Sequence, residues 1–134
     1  MQFSYLSFLK KIKITTRSKV NNAKFKIRIF SVNKEGSPED DLLYEDIIVT
    51  VKKGKRKNII DISNFKLVFP KEGLFIAYEV LKIESNKYIF EYTENESKKL
   101  IKKVYYAPDF ECNLVEEQNT YHNRFGKWIK LQRW

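Results

Sequence analysis

From Lys24 to Val32 the chain alternates, with Phe25, Ile27 and Ile29 on one parity and Lys24, Lys26 and Arg28 on the other. A period of two predicts a strand that turns one face to a core and the other to water. Upstream, Phe8, Ile12 and Ile14 share a parity against Lys11 and Lys13, which predicts a second strand. Phe3, Leu6 and Leu9 also fall at helical spacing, so a short amphipathic helix competes for the first ten residues. Ile47 to Val51 is a β-branched strand, and Phe65 to Phe69 alternates again. Leu74 to Leu81 is almost continuously apolar and is expected at the centre of a sheet, covered on both faces. Lys87 to Thr93 and Lys99 to Tyr106 flank the polar stretch ENESK and predict a hairpin with an exposed tip.

The segments between these runs carry turn chemistry. Asn33 to Asp41 reads as a loop broken by Gly36 and Pro38, and the basic run KKGKRK at 52–57 reads as a turn centred on Gly54. Asn58 to Ile62 is expected to be extended, Pro70 to Gly73 to turn, and 107–126, with Pro108 and Gly126, to form a long irregular excursion before a closing strand at Lys127 to Leu131. About eight short strands without a long amphipathic helix point to an all-β fold, an antiparallel β-sandwich or barrel, of which the sandwich, formed by one domain over residues 1–134, is the expectation.

Composition supports a packed core: the 134 residues are 43% hydrophobic and 15% aromatic. Charge adds an asymmetry to the net +9, because residues 1–67 hold 15 basic and 7 acidic side chains and residues 68–134 hold 11 and 10. The basic half suggests attraction to polyanions, or else lysines that guard solvent faces and sheet edges. Cys112 is the single cysteine, so no intrachain disulfide forms and the core carries stability. No apolar run approaches the roughly 18 residues of a membrane-spanning helix. The first residues lack the charged and apolar regions of a signal peptide, which leaves a cytoplasmic protein or a mature segment of an exported one.

The order of FKIRIFSV, a Gly/Pro loop into DLLYEDIIV, a basic glycine turn, IIDIS, FPKEGLFIAYEVL and a late GKW resembles bacterial carboxypeptidase-regulatory-like envelope proteins. The resemblance is to the jelly-roll-like segment that follows their regulatory-like domain, and it covers most of the chain. It implies that Asp41, Leu42 and Leu43 end the acidic loop, that Asp61 and Ser63 belong to an Asp-hydrophobic-Ser turn, and that Phe75 and Glu79 lie on the central strand. Gly126, Lys127 and Trp128 match its terminal motif. Lys55, Arg56 and Lys57 stand where the group commonly has a tryptophan. The family label describes an accessory domain and implies no peptidase activity; the implied setting is periplasmic, surface-exposed or secreted.

Little in the chain carries reaction chemistry. A Cys112–His122 dyad would need thiolate and imidazole in hydrogen-bond reach, yet neither residue stands in a recognised signature, and Cys112 reads better as a small buried hydrophobe. One Cys and one His supply none of the usual zinc ligand sets. Glu116 and Glu117 are adjacent and would diverge in extended chain, so they make no hydrolytic pair. Glu39, Asp40, Asp41 and Glu45 could offer oxygens to calcium, without the spacing of an EF-hand loop. No glycine-rich phosphate cradle is present, and no cofactor is expected. Nucleic-acid binding through KKGKRK and stacking aromatics is the weaker binding reading, because most aromatics alternate within strands and are explained as core. Tyr121, Asn119, Asn123, Arg124 and Trp128 gather aromatic, amide and guanidinium groups in the C-terminal region and form the expected ligand site, suited to a glycan or another envelope protein. Inward packing of Trp128 in the last strand is the competing expectation. The chain thus reads as a non-catalytic interaction domain, with a carbohydrate-binding module and a cytoplasmic nucleic-acid-binding domain as alternatives.

Overall fold

The computed structural model describes residues 7–111, 121–124 and 126–130, with backbone alone at 121–124, 129 and 130. The fold is all-β, and every strand pair among the described residues is antiparallel. In chain order the strands are β1 (Lys11–Ser18), β2 (Ala23–Val32), β3 (Pro38–Asp41), β4 (Ile47–Val51), β5 (Gly54–Asp61), β6 (Phe75–Val80), β7 (Lys87–Thr93), β8 (Leu100–Tyr106), β9 (Asp109–Phe110), β10 (Tyr121–Arg124) and β11 (Lys127–Lys130). Single 3-10 turns occupy Ser63–Phe65 and Glu84–Asn86.

The alternation in β2 sets the centre of the fold. Phe25, Ile27 and Ile29 are fully buried, while Lys24, Lys26 and Arg28 are only half-buried on the opposite face. Burying each of these apolar side chains stabilises by about 1.5–3 kcal/mol relative to exposure. β4 pairs with Ala23 to Ile27 and β6 with Phe25 to Phe30, so the two flank β2 on opposite edges; β3 pairs at Phe30 and Val32, with a register shift between them. A second sheet runs β5-β1-β9. Ile12 of β1 joins Ala23, Phe25, Ile27 and Ile29 of β2, Val51 of β4, Ile62 and Ala107 in one buried cluster. Phe25 meets Tyr78 and Phe110 edge-on, at ring centroid separations of 5.9 and 5.0 Å.

Several expectations require correction. Pro38 to Asp41 is a short edge strand; Pro38 occupies its first position, where a missing N–H is tolerated, and the acidic side chains face solvent. The basic run is chiefly strand: Gly54 to Lys57 pair with Ser18 to Thr15. Gly54, at φ +93°, makes the change of direction that lets the following cations join the sheet. Phe65 to Phe69 is no regular strand, because a 3-10 turn precedes it and Lys66 adopts left-handed backbone at φ +50°. Only an isolated bridge forms there, between Val68 and Phe8, with Leu9 N–H donating to the Leu67 carbonyl at 2.9 Å. β6 is half-buried and pairs with β2 alone among the described strands, so β2 takes the central place expected of it. The excursion at 107–126 contains β9 and β10, the latter forming a hairpin with β11. Within the described part of the first ten residues, 7–10, there is no helix. Cys112, Glu116, Glu117 and Asn119 lie outside the described residues.

Candidate interaction surface

β7 and β8 form a two-stranded arm that pairs with no other described strand. Seven residue pairs run from Lys87 opposite Tyr106 to Thr93 opposite Leu100. At the tip, Glu94 N–H donates to the Lys99 carbonyl at 3.0 Å and Lys98 N–H to the Glu94 carbonyl at 2.9 Å, with Lys98 at φ +53° closing the turn.

Alternation divides the arm into two faces. Tyr88, Phe90 and Tyr92 share one face with Tyr105, Lys103 and Ile101; Ile89 and Glu91 share the other with Val104 and Lys102, ahead of Thr93 and Leu100. The first face is a ladder of rings. Tyr88 and Tyr105 stack at 5.7 Å between centroids, Phe90 lies 6.0 Å from Tyr92 and 6.4 Å from Tyr105, and Lys103 Nζ sits 5.8 Å from the Tyr92 ring centre. On the second face Lys102 and Glu91 form a solvent-exposed ion pair at 3.5 Å. Both faces remain open: Ile89 is 56% exposed, Phe90 50%, Leu100 59% and Val104 50%. Toward the base, burial raises the pKa of the Tyr88 phenol, with the charges of Asp109 and Tyr105 adding to the shift.

Asn86 ties this arm to the core. Its side chain is fully buried, accepts from Lys24 N–H at 2.8 Å, and donates to the carbonyls of Lys24 at 2.7 Å and Leu81 at 2.8 Å. The side-chain amide thus presents a peptide-like edge to β2. The Asn86 carbonyl also accepts from Ala107 N–H at 2.8 Å, extending the β7–β8 ladder into the buried base.

The charged side chains of the basic half spread along sheets. On the solvent face of β1 and β5, Arg17 lies opposite Lys55, Thr15 opposite Lys57, and Lys11 opposite Asp61. Lys55 reaches Glu111 at 3.5 Å, and Arg56 Nε donates to the Lys53 carbonyl at 3.2 Å. Arg28 bridges strands on either side of β2, meeting Glu79 at 2.8 Å and Asp41 at 3.2 Å. The Glu79 hydrogen bond leads the causes that raise its pKa. Asp41 is therefore engaged by a cation, and among the described residues no three His, Cys, Asp or Glu side chains gather in a metal-binding arrangement.

The sequence-predicted ligand residues meet only in part. Asn123 is the backbone partner of Trp128, Arg124 of Lys127 and Tyr121 of Lys130. The half-buried Trp128 ring lies edge-on to Phe30 at 5.1 Å, so part of that aromatic surface packs on the end of β2. Sequence reasoning placed the hairpin but not its isolation, since YIFEY has the apolar content of a core strand. No family model matches the chain, and no curated protein or solved structure matches it.

Proposed function

We propose that this chain is an interaction domain that engages a protein surface through the β7–β8 arm. The observation behind this reading is the exposure of Ile89, Phe90, Leu100 and Val104 on a hairpin open on both faces. Scattered exposed apolar residues are ordinary; here exposed Phe90, Tyr92 and Tyr105 adjoin on one face and exposed Ile89 opposes exposed Val104 on the other, a grouping that supports an interface. Aromatic side chains suit the centre of such an interface because they bring much contact area for few rotatable bonds. The non-catalytic character of the domain rests on the sequence, where Cys112 and His122 stand in no recognised signature. An envelope setting rests on the sequence resemblance alone.

A photo-reactive benzophenone side chain at Leu100, introduced in cells that make the protein, tests this reading. A discrete cross-linked protein is expected there and none from the same probe at Lys34 in the β2–β3 turn. Absence of a cross-link from both Leu100 and Phe90 overturns it.

A further inference from the structure

We propose that the surface engaged by the arm is a second copy of this chain, joined by antiparallel pairing of β7 with β7 across a twofold axis at Phe90. The inference rests on the reading of the arm as an interaction site and adds the identity of its partner.

Hydrogen-bond phase reveals which backbone groups are available. Glu94 bonds to Lys99 and Ala107 to Asn86, so the narrow pairs of this ladder fall at even positions of β7. Tyr88, Phe90 and Tyr92 therefore direct their N–H and C=O groups toward β8. Lys87, Ile89, Glu91 and Thr93 direct theirs outward, where no described strand pairs with β7.

Three other edge strands are guarded. β5 carries Lys55, Arg56 and Lys57, β3 begins with Pro38 and continues with three acidic residues, and β8 carries Lys102 and Lys103 at its middle. Such residues discourage strand addition. β7 has Ile89, Phe90, Glu91 and Tyr92 through its middle, with its lysine confined to the base.

Charge also separates the two edges of the arm. Full-length twofold pairing of β8 would place Lys103 opposite itself, at a cost in like-charge repulsion. The same operation on β7 places Phe90 opposite Phe90, Tyr88 opposite Tyr92, Glu91 opposite Ile89 and Lys87 opposite Thr93. No like charges face one another, and the outward residues complete about eight backbone hydrogen bonds. The aromatic faces of the two arms become one face of a four-stranded sheet, an isologous contact that closes at two copies.

Analytical ultracentrifugation over a range of chain concentrations should give twice the chain mass at the upper end. Ile89→Pro removes one outward N–H while sparing the β7–β8 bonds, and should raise the dimer dissociation constant at least tenfold. Phe90→Glu sets like charges across the axis, keeps an opposite-charge neighbour in Lys103, and should have the same effect. Circular dichroism selects whichever variant retains the parent spectrum for this comparison. In a Cys112→Ser background, Phe90→Cys should oxidise to a covalent dimer and Lys103→Cys should not, since facing non-hydrogen-bonded residues lie within disulfide span. A chain that stays monomeric throughout, or an unchanged dissociation constant in the folded variant, overturns the proposal. If a monomeric chain still cross-links from Leu100 to a protein of another mass, the second copy is wrong as partner and the arm remains the interaction site; if it captures nothing, both readings fall.

Discussion

Asn86 holds Lys24 from both sides of one peptide position, accepting its N–H at 2.8 Å and donating to its carbonyl at 2.7 Å across 62 positions of sequence. A side chain here takes the place of a neighbouring strand's backbone. Truncation would leave buried donors and acceptors without partners, the expensive way to lose a hydrogen bond. Asn86→Ala is expected to cost about 3 kcal/mol, combining penalties of about 1–3 kcal/mol for an unsatisfied buried group. Urea unfolding followed by far-UV circular dichroism checks this, with a lowered midpoint expected at unchanged slope.

Gly54 gives a test of the revised basic segment. Its φ of +93° is unfavourable to an L side chain, although a Cβ would meet nothing within 4 Å. Gly54→Ala should therefore destabilise through backbone strain alone, by about 1–2 kcal/mol. A thermal melt showing no loss would contradict strand entry at this residue.

Asp61 and Ser63 supply a pH-dependent prediction. Asp61 Oδ1 accepts from Ser63 Oγ–H at 2.6 Å and from Ser63 N–H at 2.9 Å, and these bonds, the side-chain one first, hold the carboxyl below its ordinary value of 3.8. A depressed carboxylate pKa contributes stability above the unfolded-state value, and that contribution is lost as pH falls through the folded-state value. Ser63→Ala should move the Asp61 midpoint upward in a carboxyl NMR titration. No movement would show that the hydroxyl does not hold the carboxylate in solution.

The contact between Trp128 and Phe30 can be read optically. In a Trp134→Phe background, Phe30→Ala should red-shift Trp128 emission by admitting water to the ring edge now covered at 5.1 Å. Identical spectra would remove this contact between β2 and β11.

Where one face is buried and the other wet, sequence was a sufficient guide. Phe25, Ile27 and Ile29 announce β2 because a one-residue slip would expose all three, and Ile47 to Val51 reads as a strand by β-branching. Lys87 to Tyr106 is recognisable as a hairpin by its polar tip, yet its openness depends on which elements fail to cover it. The cations after Gly54 read as a turn because charge signals solvent, and a strand's exposed face is also solvent. Phe65 to Phe69 has the period of a strand, but the 3-10 turn ahead of it prevents continuous pairing. Asn86 left no pattern at all: its importance comes from a hydrogen-bonding partner 62 positions away. The expected site around Tyr121 and Trp128 rested on side-chain chemistry, while the arm emerges from exposure, a property of the assembled sheets.

The arm and its buried base also carry two kinds of structural constraint. Asn86 and Ala107 belong to the buried base, whereas Ile89, Phe90, Leu100 and Val104 are not part of the central core cluster. Under the proposed pairing, substitutions among the latter would alter the joining surface while Phe25, Ile27 and Ile29 continue to specify the fold. The joining surface proposed for the hairpin could then change without requiring the body to be reinvented.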